Sequence, residues 1–437
     1  MDKVRKKNEK AQKQETKTAN RLAHLISFQF LVVLLTFCIV SSVAADEQVT
    51  AIQGGDLYTI TSGIIKNGTI LIKDGKICRI GQNIEIPEDA NVIDTKGKVV
   101  MPGLIAATAE VAIAGYRGYM GVNKIADSLD PFHFSVSLAL ASGVTTAFVS
   151  SGAPGENPIG GTNAVLKTTY GDLDNMLIKE PVAENVNISN VQWLRKTNFL
   201  LNLQKAQTYL RKLAEYQKVK GQSEKVEELK KPAGIDAYIR LLRREMPAAL
   251  SATTADDILA ALELVDEFGI RMILAGAVEG WIVAEEIAKR DVSVIITPRE
   301  KRRPNEDISA PSGSTLENAA ILKKAGVKFA IVPPNTAFTI WGGAGRDLMT
   351  LPLEAAFAVS GGLDEQTALE AITITAAEIL GVADRVGSLQ VGKDADIIIL
   401  DGHPFHYSTF VEFTLINGKV LYDKKQSTYF SHITHDN

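Results

Sequence analysis

From Val49 to Val100 the apolar residues come in short alternating runs separated by turn pairs: Asn67-Gly68, Asp74-Gly75 and Lys96-Gly97. The Asp-Gly pair lies between Ile70-Leu71-Ile72 and Ile77-Cys78-Arg79-Ile80. It predicts a tight hairpin, because both central residues of the favoured turn need positive φ. The end of the chain repeats the pattern. Ala395 to Leu400 is a continuous apolar run, and Phe413-Thr414-Leu415-Ile416 meets Val420-Leu421-Tyr422 across Asn417-Gly418. The two ends, 46–100 and 385–425, are expected to pack as one small β-sandwich domain, with 426–437 as a tail.

The middle follows another rule: an apolar-periodic helix closes on Gly or a charged residue, and a β-rich run follows at once. This unit occurs as 138–142, Gly143, 144–149; as 258–268, Gly269, 270–274; and as 316–325, Gly326, 327–332. A fourth copy runs from Ile282 through Arg290-Asp291 into 292–297. Helices alternating with fully apolar strands, separated by single C-cap glycines, predict parallel strands with helices outside, as a barrel or an open α/β sheet. Thr254 with Asp257 reads as a capping box, after which Ile258, Leu262 and Val265 share one helix face. Residues 190–247 interrupt the series with a charged helical stretch, broken at Gly221 and Pro232-Ala233-Gly234. Leu200, Leu203, Leu210 and Leu213 mark its apolar face, and it reads as a solvated excursion over the barrel or an arm for a partner.

Composition and charge add a compartment. With 46% apolar residues, 437 residues can bury one large core or two modest ones. The first 24 residues hold eight basic and three acidic side chains, and an apolar run follows from Leu25 to Val40. Val43 and Ala45 are small enough for a signal peptidase, so 1–45 reads as a signal peptide cut before Asp46, or as an uncleaved membrane anchor. Either way the folded part is expected outside the cytoplasm, in the periplasm or the extracellular space. Without the leader, the 47 basic and 51 acidic residues become 39 and 48, a net charge of −9. Nucleic acid is therefore not an expected partner. Cys38 leaves with the leader, and Cys78 has no partner for an internal disulfide.

At Met101-Pro102-Gly103-Leu104-Ile105 the order of elements resembles the amidohydrolase superfamily. Three later stretches carry the same resemblance: Ala376-Ala377-Glu378-Ile379-Leu380-Gly381, Gly387-Ser388-Leu389 and Gly392-Lys393-Asp394-Ala395-Asp396. Gly143-Val144-Thr145-Thr146, and Gly160-Gly161 with Lys167, fit its exported, imidazolonepropionase-like branch. The resemblance implies a TIM-like (β/α) barrel over 101–384, closed by the β-sandwich domain of the two ends, and hydrolysis of carbon–nitrogen bonds at a divalent metal.

The family's ligand positions carry other residues here. Its first Asp falls on Ala106 and its two following histidines on Thr108 and Glu110. A later strand ends at Ser251-Ala252-Thr253, the next at Ala275-Gly276-Ala277, and the catalytic Asp falls among Pro333-Pro334-Asn335. Of six histidines only His133 lies in the barrel, in a helix-start context that reads as a surface or cap residue. His432 and His435 read as tail composition. No metal or other cofactor is therefore expected. What remains for a polar ligand at the mouth is Glu110, Ser251, Thr253, Glu279 and Asn335, with Tyr116, Arg117 and Lys167 on adjoining segments. The leading expectation is an exported, catalytically silent protein that binds a small polar ligand or joins a complex, as a homo-oligomer or beside a related subunit. The alternative is a hydrolase using replacement ligands such as Glu110 and Glu279.

Overall fold

The structure is a computed structural model, and it describes residues 48–113, 124–150, 158–186, 193–220, 229–307, 309–338, 347–427 and 430–431. The leader, Tyr116, Arg117, His432 and His435 lie outside the described residues. From Val49 onward the chain forms one compact unit containing two sheets.

The first sheet takes β1 (Thr50–Tyr58), β2 (Ile64–Lys73), β3 (Lys76–Gly81), β4 (Asn91–Asp94) and β5 (Val99–Pro102) from one end of the chain. After nine intervening strands it takes β15 (Ile397–Leu400), β16 (Val411–Ile416) and β17 (Lys419–Asp423) from the other. Hydrogen bonding joins them as one eight-stranded mixed sheet, and the junction between the chain ends is β5 against β15, from Val99↔Leu400 to Pro102↔Ile397. The Asp-Gly hairpin forms as its chemistry requires, with φ of 53° at Asp74 and 73° at Gly75.

The second sheet runs β6 (Leu104–Ala106), β7 (Val144–Ser150), β8 (Ile159–Lys167), β10 (Glu184–Val186), β11 (Ala248–Ala252), β12 (Met272–Gly276), β13 (Ser293–Ile296), β14 (Phe329–Ile331), with β9 (Leu177–Lys179) on β8. Four predicted helices stand between these strands: α1 (Phe134–Ala141), α4 (Ala255–Phe268), α5 (Ala284–Lys289) and α6 (Asn318–Ala325). Gly269 and Gly326 cap α4 and α6 in the left-handed region, and Thr254 Oγ1 accepts the Asp257 N–H at 3.0 Å. The excursion is α2 (Trp193–Lys220) and α3 (Asp236–Leu242). Its buried face is Phe199, Leu203 and Ala206, so of the four predicted leucines Leu203 alone is fully buried.

The barrel departs from the all-parallel expectation in one strand. β8 runs antiparallel to both β7 and β10. The segment between Ser150 and Ile159 is too short for the dozen or more residues of a parallel crossover, so the chain turns back directly. Nor do β6 and β14 share a ladder. Ile372 O accepts the Ile105 N–H at one end, and at the other the Glu110 N–H meets Thr336 O at 2.7 Å, with a bridge from Glu110 to Ala337. Pro333-Pro334 lacks the N–H groups that would extend β14, and the chain swings to Glu110 instead. Gly103 is required by close approach, since a Cβ there would stand 2.0 Å from Thr145 Oγ1.

Strand alternation sorts the core into two sets. Ile105, Ala107, Phe148, Val165, Ile273, Ile295, Ala330 and Val332 cluster inside the barrel with Ala376, Ala377, Ile379 and Leu380 of the closing helix. Their neighbours, among them Leu104, Ala147, Val149, Leu250, Leu274 and Ile296, pack outward in the larger core with the surrounding helices.

Candidate functional site

A cavity of about 500 Å³ reaches both faces of β11: Phe148, Ile273, Ile295 and Leu380 of the closing helix line it on the lumen side, with alanines at 249 and 275, and Val186, Leu250, Ala261 and Leu264 line it on the side of the surrounding helices. Its polar lining comes from the carboxyl ends of the strands and the segments after them: Thr108, Ser150, Ser251 and Thr253, with Asn185 from β10. Carboxyl strand ends are where a barrel of this kind places its chemistry. Among the described residues, the charged side chains in the lining are Lys196 of the excursion helix and Asp257 of the helix Ala255–Phe268.

Of the residues singled out from the sequence, Ser251 and Thr253 line this cavity. Glu110 and Asn335 are exposed near the closure of the barrel. Glu110 contributes its backbone N–H there, and Asn335 Oδ1 accepts the Ala337 N–H at 3.0 Å. Neither side chain is part of the cavity lining. Tyr116 and Arg117 lie outside the described residues.

Glu279 and Lys167 are placed elsewhere than at the mouth. Glu279 is buried and accepts from the Ala255 N–H at 2.9 Å, the Gly313 N–H at 2.7 Å and Arg302 Nε at 2.9 Å. Burial pushes its carboxyl up, but these donors outweigh it and hold the group below the usual value. It anchors the start of the helix Ala255–Phe268 to the loop around Gly313.

Lys167 ends β8, and because β8 runs backwards that end is remote from the mouth. Its Nζ meets Asp394 Oδ2 at 2.8 Å and Asp396 Oδ1 at 3.0 Å, and also bonds Asn417 Oδ1. The lysine side chain is 0% accessible and the two carboxylates 4% and 3%. Lys76 and Arg385 add to Asp394 from the periphery. Burial raises the Asp394 carboxyl, yet Lys167, Lys76 and Arg385 overcome that and bring it to about 2. Asp396, more completely buried and beside another carboxylate, is pushed up despite Lys167. The Gly392-Lys393-Asp394-Ala395-Asp396 stretch thus holds the barrel to the chain-end sheet.

Sequence reading missed Ser150 and Asn185, which line the cavity, and the buried Asn163, which is not part of that lining. Asn163 is fully buried on β8, opposite Ser150 in register and two residues from the inward-facing Val165, so it stands on the lumen side. Its Oδ1 accepts the Ala183 N–H at 2.7 Å, which fixes the amide's orientation, and its Nδ2 has no hydrogen-bond partner. The alternation Thr146, Phe148, Ser150 on β7 was the available signal for a polar position above an aromatic one. His133 is a helix cap as expected, its Nδ1 accepting from the Ser135 N–H.

Hydroxyls, alanines and prolines occupy the strand ends, and among the described residues no group of three or more His, Cys, Asp and Glu could hold an ion. Imidazole, thiolate or carboxylate donors in threes and fours are what such an ion takes.

An α/β barrel with a β sheet built from both chain ends is an architecture this chain shares with solved amidohydrolases. Residues 258–422 match the model described as Amidohydrolase family. The crystal structure of an amidohydrolase from Thermotoga maritima superposes with a TM-score of 0.69 at 27% identity, covering 86% of this chain and 100% of that one. A β-aspartyl dipeptidase from Fervidobacterium islandicum, at TM-score 0.52 and 15% identity over 86% of this chain and 97% of its own, shows the same fold. A 5'-deoxyadenosine deaminase of Methanosarcina acetivorans is 45% identical over 69 residues, 16% of either chain. An imidazolonepropionase of Staphylococcus aureus is 43% identical over 54 residues, 12% of this chain and 13% of its own. The matched stretches thus span a small fraction of these curated relatives.

Proposed function

We propose that the protein is an exported, ligand-binding member of the amidohydrolase superfamily that works without metal-centred hydrolysis. The observation that carries this reading is the lumen. Thr108, Ser251, Thr253 and Ala275 line it where the family places ligands, and its wall is apolar. Such a wall suits a small molecule held by burial and a few hydrogen bonds. Export is supported by the basic stretch and apolar run of residues 1–45. Among the described residues no helix is long and apolar enough to cross a membrane. The protein acts as a binding or complex-forming subunit, with copies of itself or with a related chain.

A hydrolase of carbon–nitrogen bonds is the second reading, favoured by the deaminase and imidazolonepropionase names of the partial relatives. It needs replacement ligands, and the carboxylate of Glu279 is already held by three donors.

Elemental analysis of the purified full chain, paired with an assay for amide and amidine hydrolysis, separates the two. The expected result is substoichiometric zinc and no turnover. Stoichiometric zinc whose removal by chelator abolishes hydrolysis would overturn the proposal.

A further inference from the structure

Charge is sorted between two helices on the outside of the barrel. α2 carries seven basic residues against Glu215 alone. Residues 46–437 hold 39 basic and 48 acidic side chains, so outside α2 the same span holds 32 and 47. One face of α2 runs Lys205, Tyr209, Lys212, Tyr216, Lys220, a spacing of three and four residues that keeps these side chains in line over about 22 Å. The three lysines are exposed, the two tyrosines half-buried, and from Gln207 to Lys220 no residue is buried. Lys220 Nζ lies 5.5 Å from the centre of the Tyr216 ring. α4 is the opposite: Asp256, Asp257, Glu263, Asp266 and Glu267, with no basic residue. Its outward face sets Asp256, Glu263 and Glu267, all exposed, around Leu259, which is 39% exposed. Arg290 takes Asp266, but among the described residues no ion pair includes Lys205, Lys212, Asp256, Glu263 or Glu267. Lys205 and Lys212 stand two turns apart, as do Asp256 and Glu263, so the pairs match whichever way the helices run. Lys196 of α2 and Asp257 of α4 line one cavity, which puts both helices on the same side of the barrel.

We propose that this side of the barrel is the interface with a second copy of the chain, in which the Lys205–Lys220 face of α2 lies on the Asp256–Glu267 face of α4 in the other copy. A patch that carries both halves of a complementary pair meets its own copy about a two-fold axis, so the contact is made twice. Each contact sets Lys205 and Lys212 against Asp256 and Glu263, with Leu259 against the tyrosine rings. Exposed ion pairs are individually weak, so the charges select which faces meet, and the aromatic and aliphatic contact with its two-fold repetition holds them together. An anionic lipid surface would engage α2 and leave the acidic face of α4 unused, whereas a second copy uses both. The assignment rests on the complex-forming part of the function proposed above and adds its surface; the cavity plays no part in it.

The test is the mass of the full chain by light scattering, at about 50 µM protein and low salt, where a dimer is expected that dissociates as salt rises. Two charge-reversed variants follow: Lys205→Glu with Lys212→Glu, and Asp256→Lys with Glu263→Lys. Each should weaken the dimer at least about tenfold, while circular dichroism reports that the fold is kept. Mixed in equal amounts, the two variants should recover the wild-type affinity, because the acidic α2 of one then faces the basic α4 of the other, and the remaining contact keeps its natural signs. A dimeric wild type whose variants dimerise unchanged overturns this surface and leaves self-association standing. A mixture that stays monomeric, although both variants are folded, overturns it as well. A monomeric wild type overturns self-association itself, and sedimentation with phosphatidylglycerol vesicles then shows whether an anionic lipid surface takes α2 instead. Zinc content and turnover are measured separately and bear only on the metal-free reading.

Discussion

At the mouth of the barrel, strand ends that could carry ionisable ligands present hydroxyls, alanines and prolines around an apolar hollow. At the remote end of β8, one lysine, two aspartates and an asparagine are packed out of water, with Lys76 and Arg385 beside them. Charge is concentrated where two sheets must be held together and withdrawn from the hollow. The difference separates two places that family resemblance merges: Lys167 belongs to the seam between the sheets, away from the mouth.

Lys167→Met should break this comparison most severely. It leaves Asp394 and Asp396 buried without their shared cation, and removing one partner of a buried cluster costs about 3–5 kcal/mol. Guanidinium unfolding monitored by circular dichroism would show it, and a loss below about 1 kcal/mol would deny the seam its structural role.

Acid sharpens the same point. Asp394, brought to about 2 from an ordinary 3.8, contributes stability that is complete above 3.8 and lost as pH falls towards 2. The amount is on the order of 2 kcal/mol. Asp396, being raised, has the opposite sign: its contribution is greatest below 3.8 and declines as pH rises. Unfolding midpoints of Asp394→Asn should therefore fall less steeply between pH 4 and 2 than those of the wild type.

The mouth is expected to be far more tolerant. Ala275→Leu adds side-chain volume facing a cavity, so its cost should stay below about 1 kcal/mol, where overpacking a filled core costs about 1–3. A larger loss would mean that the hollow is already filled. The smallest effect is expected for Ser251→Ala, an exposed hydroxyl at the rim, within about 0.5 kcal/mol by thermal unfolding.

Much of the barrel was legible because its signals are local. Gly269 and Gly326 end their helices in the left-handed region, Thr254 caps, and alternation marks the strands. What failed was direction. Lys167 follows Gly160-Gly161 on an apolar strand, and a strand assumed parallel would deliver it to the mouth. The turn-back of β8 delivers it to the opposite end, and no periodicity records that reversal. Glu279 was correctly placed after β12, yet its donors Gly313 and Arg302 come from a loop whose path depends on tertiary packing. Asn163 was invisible for the same reason, since its inward face follows from a register with Ser150.

The pairing of β5 with β15 also fixes the order in which the protein can be finished. Synthesis supplies β5 early, but the hydrogen bonds on its outer edge wait for Ile397–Leu400, after the whole barrel has been made. Contacts of such sequence separation are slow to form, and an unfinished strand edge is a template for pairing with other chains. A product that stops short of β15 would therefore keep the Val99–Pro102 edge open, making it a substrate for chaperones and proteases.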